Sequence, residues 1–117
     1  MQYALLLYGN AEALAEATAE DWQRLNAGVG AILARPNVAG YVRLQPVGTA
    51  TTVREGQRGT LVTDGPFVDS KDFLGGFVLV EAENLDGALA VADELHRVGA
   101  TVGVEVRPVN EEPLPGA

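Results

Sequence analysis

The chain has 117 residues, with eight basic and sixteen acidic side chains, a net charge of −8 and no cysteine. A chain of this length buries about two-thirds of its unfolded surface as one domain. The lack of cysteine excludes disulfides, thiolate metal sites and a cysteine nucleophile. The acidic balance disfavours binding to nucleic acids and to anionic membranes, because both present phosphates.

The N-terminal residues carry neither the basic segment nor the long apolar run of a signal peptide or a membrane span. We therefore expect a cytoplasmic protein. Seven of the eight basic residues are arginines, and the single lysine is Lys71. A lone ammonium can serve a site as a compact proton-exchanging group, or it can simply reflect an arginine-rich composition.

The first third of the chain predicts a strand followed by two helices. Residues 3–8 are apolar at consecutive positions, which is typical of a strand buried on both faces. Residues 11–17 are rich in alanine and predict a short helix. Thr18 and Asp21 form a capping pair that begins a longer helix, whose apolar residues recur at helical spacing. We expect Trp22, on that apolar face, to lie in the core.

The middle of the chain predicts strands and a hairpin. Residues 40–46 alternate in the manner of a strand. Residues 49–54 and 60–63 predict two strands joined by the glycine-containing turn at 55–59. Residues 77–81, with the sequence Phe-Val-Leu-Val-Glu, predict a strong buried strand.

The last third predicts a helix and a final strand. Asn84 can cap the helix and Gly99 can end it. Residues 102–109 alternate as a strand. We expect one domain over residues 1–110 and a short tail over residues 111–117. The buried stripe of the helix is predicted at Leu85, Ala88, Leu89, Ala92 and Leu95.

The predicted order of elements indicates an α+β fold. Without the extra β-hairpin the order is βαββαβ, the ferredoxin-like arrangement with an antiparallel sheet. Both helices would cover one face of that sheet, yet residues 3–8 and 77–80 are apolar on both sides. Two copies packed sheet to sheet would bury the second face, so we expect a homodimer.

The segment from Asp64 to Phe77 is the most unusual part of the sequence. It opens on a tight turn, because Pro66 restricts the preceding glycine. Gly75 and Gly76 leave a place where a ligand or a second backbone can approach. The segment contains three carboxylates near Lys71. Such a cluster can form a structural ion-pair network, or it can supply a catalytic acid or base whose pKa is shifted. These carboxylates are Asp64, Asp69 and Asp72.

The motif Asp64-Gly65-Pro66-Phe67 resembles the motif of the DGPF branch of the YCII-related family. Three further stretches resemble that branch in order: residues 3–9, residues 71–77 and residues 104–108. The resemblance implies a ferredoxin-like, dimeric α/β-barrel fold. The resemblance implies little about activity. Related proteins carry a His–Asp pair in a pocket, which favours an enzymatic role, and some members are linked to extracytoplasmic-function sigma factors. The chain departs from the branch at residues 69–72, where Asp-Ser-Lys-Asp replaces the longer Glu-Thr-Lys-Glu.

Two kinds of function follow. The first is an enzyme acting on a small organic molecule in a pocket between the sheet and the dimer partner, with proton transfer by Asp64 and His96 and electrostatic stabilisation by Lys71. The second is a non-catalytic dimer that binds a ligand or a regulatory partner. His96, the only histidine, also suits a plain surface role near a helix end. The expected residues of the pocket and the signature segment are Tyr8, Arg43, Gly65, Pro66, Phe67, Lys71, Asp72, Gly75, Gly76, Glu105 and Arg107.

Arg43 and Arg107 can bind a carboxylate on a ligand, or one of them can pair with Glu105 across the sheet. One histidine and scattered acidic residues are poor material for a metal site, so we expect no metal. The sequence also contains no glycine loop for a nucleotide cofactor, and we expect no cofactor.

Overall fold

The computed structural model of the chain describes residues 1–99 and 101–115, with Leu14 described by its backbone alone. The end of the predicted tail, residues 116 and 117, lies outside the described residues. The tail begins close to the first strand, because the Gln2 N–H donates to Glu111 Oε1 at 3.1 Å. The elements in chain order are β1 Gln2–Asn10, α1 Ala11–Ala15, α2 Ala19–Leu33, β2 Val38–Arg43, a 3-10 turn Val47–Thr49, β3 Thr51–Gly56, β4 Gly59–Asp64, β5 Asp72–Glu81, α3 Leu85–Arg97 and β6 Gly103–Pro108.

Four strands form one sheet in the order β2-β5-β1-β6, and each neighbouring pair is antiparallel. The α+β architecture with an antiparallel sheet is therefore confirmed. This order is compatible with the ferredoxin-like βαββαβ arrangement. Within the described part of the chain, no helix is long and apolar enough to cross a membrane.

Helices α2 and α3 begin where the sequence predicts. The Thr18 hydroxyl accepts from the Asp21 N–H at 3.1 Å, and the Asp21 carboxylate accepts from the Thr18 N–H at 2.8 Å, which completes a capping box. The bond from the Thr18 backbone holds the pKa of the Asp21 carboxyl below its ordinary value. Asn84 caps α3 through the Gly87 N–H at 3.1 Å. Gly99, with φ of 105°, follows the last turn of α3.

The core lies between the two long helices and one face of the sheet. Its sheet residues alternate along β1 and β5, as buried positions of a strand must. The predicted stripe of α3 was wrong at Leu85 and Leu89, which are exposed, because the buried face runs through Val91 instead. The buried core residues are Tyr3, Leu5, Ile32, Val78, Val80, Ala88, Val91, Ala92 and Leu95.

The opposite side of the sheet, which we call the open face, has no covering element within the described residues. Its side chains belong to the alternate positions of the same strands. On β1, β2 and β5 they are mainly apolar but only half-buried or exposed, and on β6 the charged Glu105 and Arg107 lie on this face. Both sets of alternate positions in β1 and β5 are mainly apolar, which is why the sequence of each strand is apolar on both sides. The helices bury only one of these sides. The apolar residues of the open face are Ala4, Leu6, Val42, Phe77 and Leu79.

Strands β3 and β4 stand apart from the main sheet. They pair with each other in a two-stranded antiparallel ladder from Thr51↔Asp64 to Gly56↔Gly59. The molecule measures 48 × 43 × 18 Å and has a radius of gyration of 16.4 Å. A compact chain of this length has a radius of gyration of about 13 Å, so the structure is flat and extended. We call residues 51–68, the hairpin and the turn after it, the arm.

Candidate functional site

Two clefts lie at one end of the main sheet and share a wall. The wall contains residues 44–47, which follow β2 after its pairing with β5 ends at Arg43. The predicted strand over residues 40–46 is therefore too long at its C-terminal end. Pro46 has no N–H to donate to a ladder, and its carbonyl instead accepts from Thr49 within the 3-10 turn. The residues that line both clefts are Tyr8, Leu44, Gln45, Pro46, Val47 and Phe73.

The first cleft, which we call the helix-face cleft, lies between α2 and the end of the sheet and has a volume of about 530 Å³. Small-molecule sites typically have about 300–1,000 Å³ and are mostly apolar with a few polar groups. The helix-face cleft has this character. Its aromatic walls are Tyr8, Trp22, Tyr41 and Phe73, and its polar side chains are Asn26, Arg43, Gln45 and Thr101.

Helical spacing brings the α2 wall into place. Trp22, Leu25 and Val29 stand three and four residues apart and face the sheet. Trp22 is half-buried, so the prediction that it lies in the core was wrong. It remains on the inner face of α2, but the space beside it is the cleft rather than packed side chains.

Strand alternation brings the β2 wall into place. Tyr41 lies opposite Val78 and Arg43 lies opposite Gly76, so both side chains point to the helix side of the sheet. Gly76 is required there, because a Cβ at this position would lie 2.5 Å from the Val42 carbonyl oxygen. The expected close approach of a second backbone is therefore found at Gly76.

Gly75 is the extra residue of a β-bulge. β1 pairs Leu7 with Gly76 and Tyr8 with Leu74, which leaves Gly75 without a partner in that ladder. A Cβ on Gly75 would meet nothing closer than the Leu7 carbonyl at 3.8 Å, so its space is open toward the helix-face cleft that it lines.

Arg43 is the only charged side chain lining the helix-face cleft among the described residues. The ion pairs of the described chain all involve other groups, namely the N-terminus, Arg24, Arg35 and Arg97. A guanidinium beside apolar walls binds carboxylates and other planar anions through paired N–H donors. The cleft can therefore hold a flat apolar body and an anionic group.

The second cleft, which we call the open-face cleft, is broader, with a volume of about 1090 Å³. It lies at the end of the sheet on the same side as the open face, where strand alternation places Leu74 and Glu105, and it is bounded by the signature segment. Pro66, Phe67 and Asp72 line it from that segment, and Glu105 lines it from β6.

Much of the signature segment is strand rather than loop. Asp64 ends β4, and Asp72 begins β5, where its carboxylate accepts from the Asn10 amide at 3.1 Å. Gly65 takes φ of 99°, its N–H donates to the Ala50 carbonyl at 2.8 Å, and its carbonyl accepts from the Thr52 hydroxyl at 2.7 Å. The motif at its start therefore fastens the turn to the base of the hairpin.

The structure does not bring the predicted catalytic residues together. Asp64, Lys71 and His96 are exposed and line neither cleft. His96 Nδ1 lies 2.9 Å from the Thr101 hydroxyl, which is its hydrogen-bonding partner. In residues 1–99 and 101–115, no three histidine or acidic side chains cluster in a way that could hold a metal ion.

The other predicted residues divide between the two sides. Arg43 and Gly75 line the helix-face cleft, and Tyr8 lines both clefts. Arg107 lines neither, and no ion pair within the described chain joins Glu105 to an arginine. Gly65 and Gly76 act on the backbone rather than in a cleft, for the reasons given above.

Three aromatic residues of the helix-face cleft were not predicted to line a pocket: Trp22, Tyr41 and Phe73. The sequence did carry a signal for Tyr41, because it shares its strand face with Arg43. No local pattern could bring Trp22 and Phe73 together, because they lie on different elements that meet only in the folded domain.

Comparison with known proteins identifies the family. A model of the YCII-related domain matches residues 1–112. An uncharacterized protein of Rhizobium meliloti (strain 1021) is 33% identical over 114 residues, which cover 93% of this chain and 92% of that protein. The structure of 5-chloro-2-hydroxyhydroquinone dehydrochlorinase from Burkholderia phenoliruptrix AC1100, in complex with 2,5-dihydroxybenzoquinone, has a TM-score of 0.56 at 16% identity over 94% of each chain. At that identity the likeness is one of fold, whereas the domain match and the relative show common family. The chain belongs to the YCII-related family.

Proposed function

We propose that the chain binds and transforms a small planar organic molecule with an anionic oxygen in the helix-face cleft. The observation that carries this proposal is a ligand-sized cleft with aromatic walls and a single cation, Arg43. The aromatic side chains of Trp22, Tyr41 and Phe73 suit the faces and edges of a flat ring. Arg43 suits a carboxylate or phenolate on that ring.

The solved structural neighbour supports the ligand class. That protein is a dehydrochlorinase, and its structure holds 2,5-dihydroxybenzoquinone, a flat ring with several oxygens. A molecule of this kind is small enough for a cleft of about 530 Å³. The ligand then lies on the helix side of the sheet. The open face, to which we assign a second copy of the chain, is on the other side.

A pair of matched ligands tests the proposal. Trp22 is the only tryptophan and lines the cleft, so its fluorescence reports occupancy directly. Benzoate and benzamide share one shape, but only benzoate is charged. A hydrogen bond to a charged group contributes about 1.5–3 kcal/mol, so Arg43→Gln should weaken benzoate binding by roughly 10–100-fold. Benzamide binding should change little.

Arg58→Gln is the control, because Arg58 lies in the exposed hairpin turn and lines neither cleft. It should bind both compounds as the natural chain does. Equal weakening of benzoate by Arg43→Gln and Arg58→Gln, or no fluorescence change with either compound, would rule out the cleft as the site.

A second candidate function is binding without catalysis, as in a regulatory dimer of the kind linked to extracytoplasmic-function sigma factors. One observation favours it: among the described residues that line the helix-face cleft there is no carboxylate, histidine or lysine. Tyr8 and Tyr41 are the titratable side chains left for proton transfer, beside Arg43. The Tyr8→Phe variant separates the two functions. An enzyme should keep ligand binding and lose turnover of a chlorinated hydroxyquinol, whereas a binding protein shows no turnover in either form.

Comparing ligand binding with turnover also tests the predicted roles of Asp64 and His96. Because both side chains stand outside the clefts, Asp64→Asn and His96→Asn should leave benzoate affinity unchanged. Loss of turnover with preserved binding in either variant would restore that residue to the mechanism.

We also propose that the chain belongs to the DGPF branch, with its hairpin inserted into the ferredoxin-like order, and forms a cytoplasmic homodimer of the α/β-barrel type. The apolar residues of the open face support the dimer, because a single chain leaves them in water. Sedimentation velocity over a range of concentrations tests it. A single species at twice the chain mass of 12.3 kDa is expected, and a monomer at every concentration would contradict the dimer while leaving the ligand site standing.

A further inference from the structure

We infer that the arm is a clasp that grips a second copy of the chain and thereby fixes the wall of the helix-face cleft. The inference rests on the proposed dimer and on the proposed ligand site, and goes beyond both. It assigns the arm a role, and it makes ligand affinity depend on assembly.

The arm exposes two groups of apolar side chains, one on each face of the hairpin, because Val53 alternates with Arg54, which stacks on Phe67. Val53 and Val62 lie directly opposite each other in the hairpin, with 67% and 63% of their surfaces exposed. Phe67 and Val68, in the turn that follows, are each 68% exposed. Single exposed apolar residues are common on protein surfaces, but a group of this kind marks an interaction site.

The arm is also a preformed unit. The Arg54 guanidinium stacks over the Phe67 ring at 5.2 Å from its centroid, and the Thr52 hydroxyl donates to the Gly65 carbonyl at 2.7 Å. Arg54 Nε is buried without a hydrogen-bond partner within the described chain. A two-stranded hairpin is only marginally stable by itself, and β3 and β4 pair with no other described strand. A partner surface would supply the packing that the arm lacks.

The exposed area favours a second copy as that partner. The arm exposes five large apolar side chains, those of Val53, Leu61, Val62, Phe67 and Val68, whereas a stable interface buries about 800 Å² and about 20–30 residues on each side. The arm falls short of this requirement, and the open face is the other apolar surface at hand. The open-face cleft joins the two, because Phe67 and Val68 line it together with Leu74 and Glu105, which stand on the open side of the sheet.

Symmetry makes such a surface self-complementary. A two-fold dimer brings the same patch of each chain to the other, so a protruding part must meet a concave part of the same molecule. This chain has both: the arm protrudes, and the open-face cleft of about 1090 Å³ lies beside it. One two-fold axis can therefore seat both arms and cover both open faces.

The arm is connected to the ligand site through the shared wall. At one end of residues 44–47, the Leu44 N–H donates to the Gly75 carbonyl at 2.9 Å. Beyond the other end, Ala50 accepts from the Gly65 N–H at 2.8 Å and so ties the chain to the base of the arm. An arm held by a partner holds this wall in place, whereas a released arm leaves it anchored mainly at Leu44.

Replacing exposed apolar residues of the arm with charged ones tests the clasp. The variant Val53→Asp/Val62→Asp alters exposed positions and should fold, as circular dichroism can verify. It should raise the dimer dissociation constant by about 30-fold or more, the effect of losing a central contact. As a monomer it should bind benzoate about 5-fold more weakly, the lower end of allosteric couplings. Leu89→Asp is the matched control, because Leu89 is exposed on α3 at the opposite side of the sheet.

Crosslinking provides a test that does not depend on a destabilised dimer. The chain has no cysteine, so Val68→Cys accepts a single benzophenone label on the arm. Irradiation should give a covalent product of twice the chain mass, and a label at Leu89→Cys should not.

Each failure points to a different claim. A natural chain that is monomeric throughout overturns the dimer and the clasp together. A dimer that survives the arm variant, with no crosslink from Val68→Cys, overturns the clasp alone. A monomeric arm variant with undiminished benzoate affinity overturns the link to the ligand cleft. Absence of benzoate binding by the natural dimer contradicts the proposed ligand site instead.

Discussion

The helix-covered layer and the arm use apolar residues in opposite ways. In the layer, β1, β5 and α3 bury side chains such as Leu5 and Val78 completely. In the arm, Val53 and Phe67 have the same chemistry and stand mostly in water. The first pattern stabilises the fold of one chain. The second leaves apolar surface in water and is favourable only if another surface covers it. The open-face cleft lies where these regions meet, because residues of the arm and of the sheet both line it. The helix-face cleft is lined mainly by the layer and by residues 44–47, which connect the layer to the arm.

The largest contrast should appear on truncating an apolar side chain in each region. Leu5→Ala removes a fully buried side chain and should cost about 2–5 kcal/mol of unfolding free energy. Val53→Ala should cost the single chain less than about 0.5 kcal/mol, because its side chain is already exposed. Urea denaturation at low protein concentration measures both. Equal losses would mean that the arm packs against its own domain.

A glycine pair sharpens the contrast within β5. Gly76→Ala should cost about 1–3 kcal/mol, because the new Cβ would lie 2.5 Å from the Val42 carbonyl and the strands must separate. Gly75→Ala is the matched control, with its Cβ in ordinary contact at 3.8 Å. Thermal and urea unfolding of the two variants should therefore differ clearly, and similar stabilities would place the bulge elsewhere.

The capping box of α2 should have a smaller effect, with a pH signature. Thr18→Ala removes the cap and should cost about 1 kcal/mol. The pKa of Asp21 is held below its usual value of 3.8, chiefly by the Thr18 N–H. This contribution is therefore present above pH 3.8 and is lost as the pH falls through the lowered folded pKa. Stability measured against pH in the acid range should fall less steeply in Asp21→Asn than in the natural chain.

The smallest effect is expected at His96. Its side chain is exposed and its hydrogen bond goes to Thr101, at the edge of the helix-face cleft. His96→Ala should change unfolding free energy by less than about 0.5 kcal/mol and should leave benzoate affinity unchanged. A loss as large as that of Arg43→Gln in the fluorescence titration would make His96 part of the ligand site.

Local patterns in the sequence predicted most of the fold. The cap at Thr18, the stop at Gly99 and the strand over residues 3–8 each depend on neighbours within a few positions, and each appears in the structure. The error at Leu89 arose because helical spacing alone leaves the direction of a broad apolar stripe open. The residue that packs, Val91, is identified only by the sheet beneath it.

The site was harder to predict because it depends on contacts between distant segments. The signature segment is unusual in composition, but Asp64 ends β4 and Asp72 begins β5, where its carboxylate accepts from the Asn10 amide. Arg43 was predicted to face a pocket, whereas its aromatic neighbours Trp22 and Phe73 come from α2 and β5. Their meeting is set by tertiary packing, which no single window of sequence contains.

The most direct test of the central claim is a crystal structure of the chain soaked with 2,5-dihydroxybenzoate. The account predicts the ring in the helix-face cleft, against Trp22 and Phe73, with its carboxylate on the Arg43 guanidinium. A ring bound in the open-face cleft beside Glu105, with the helix-face cleft filled by solvent, would contradict it.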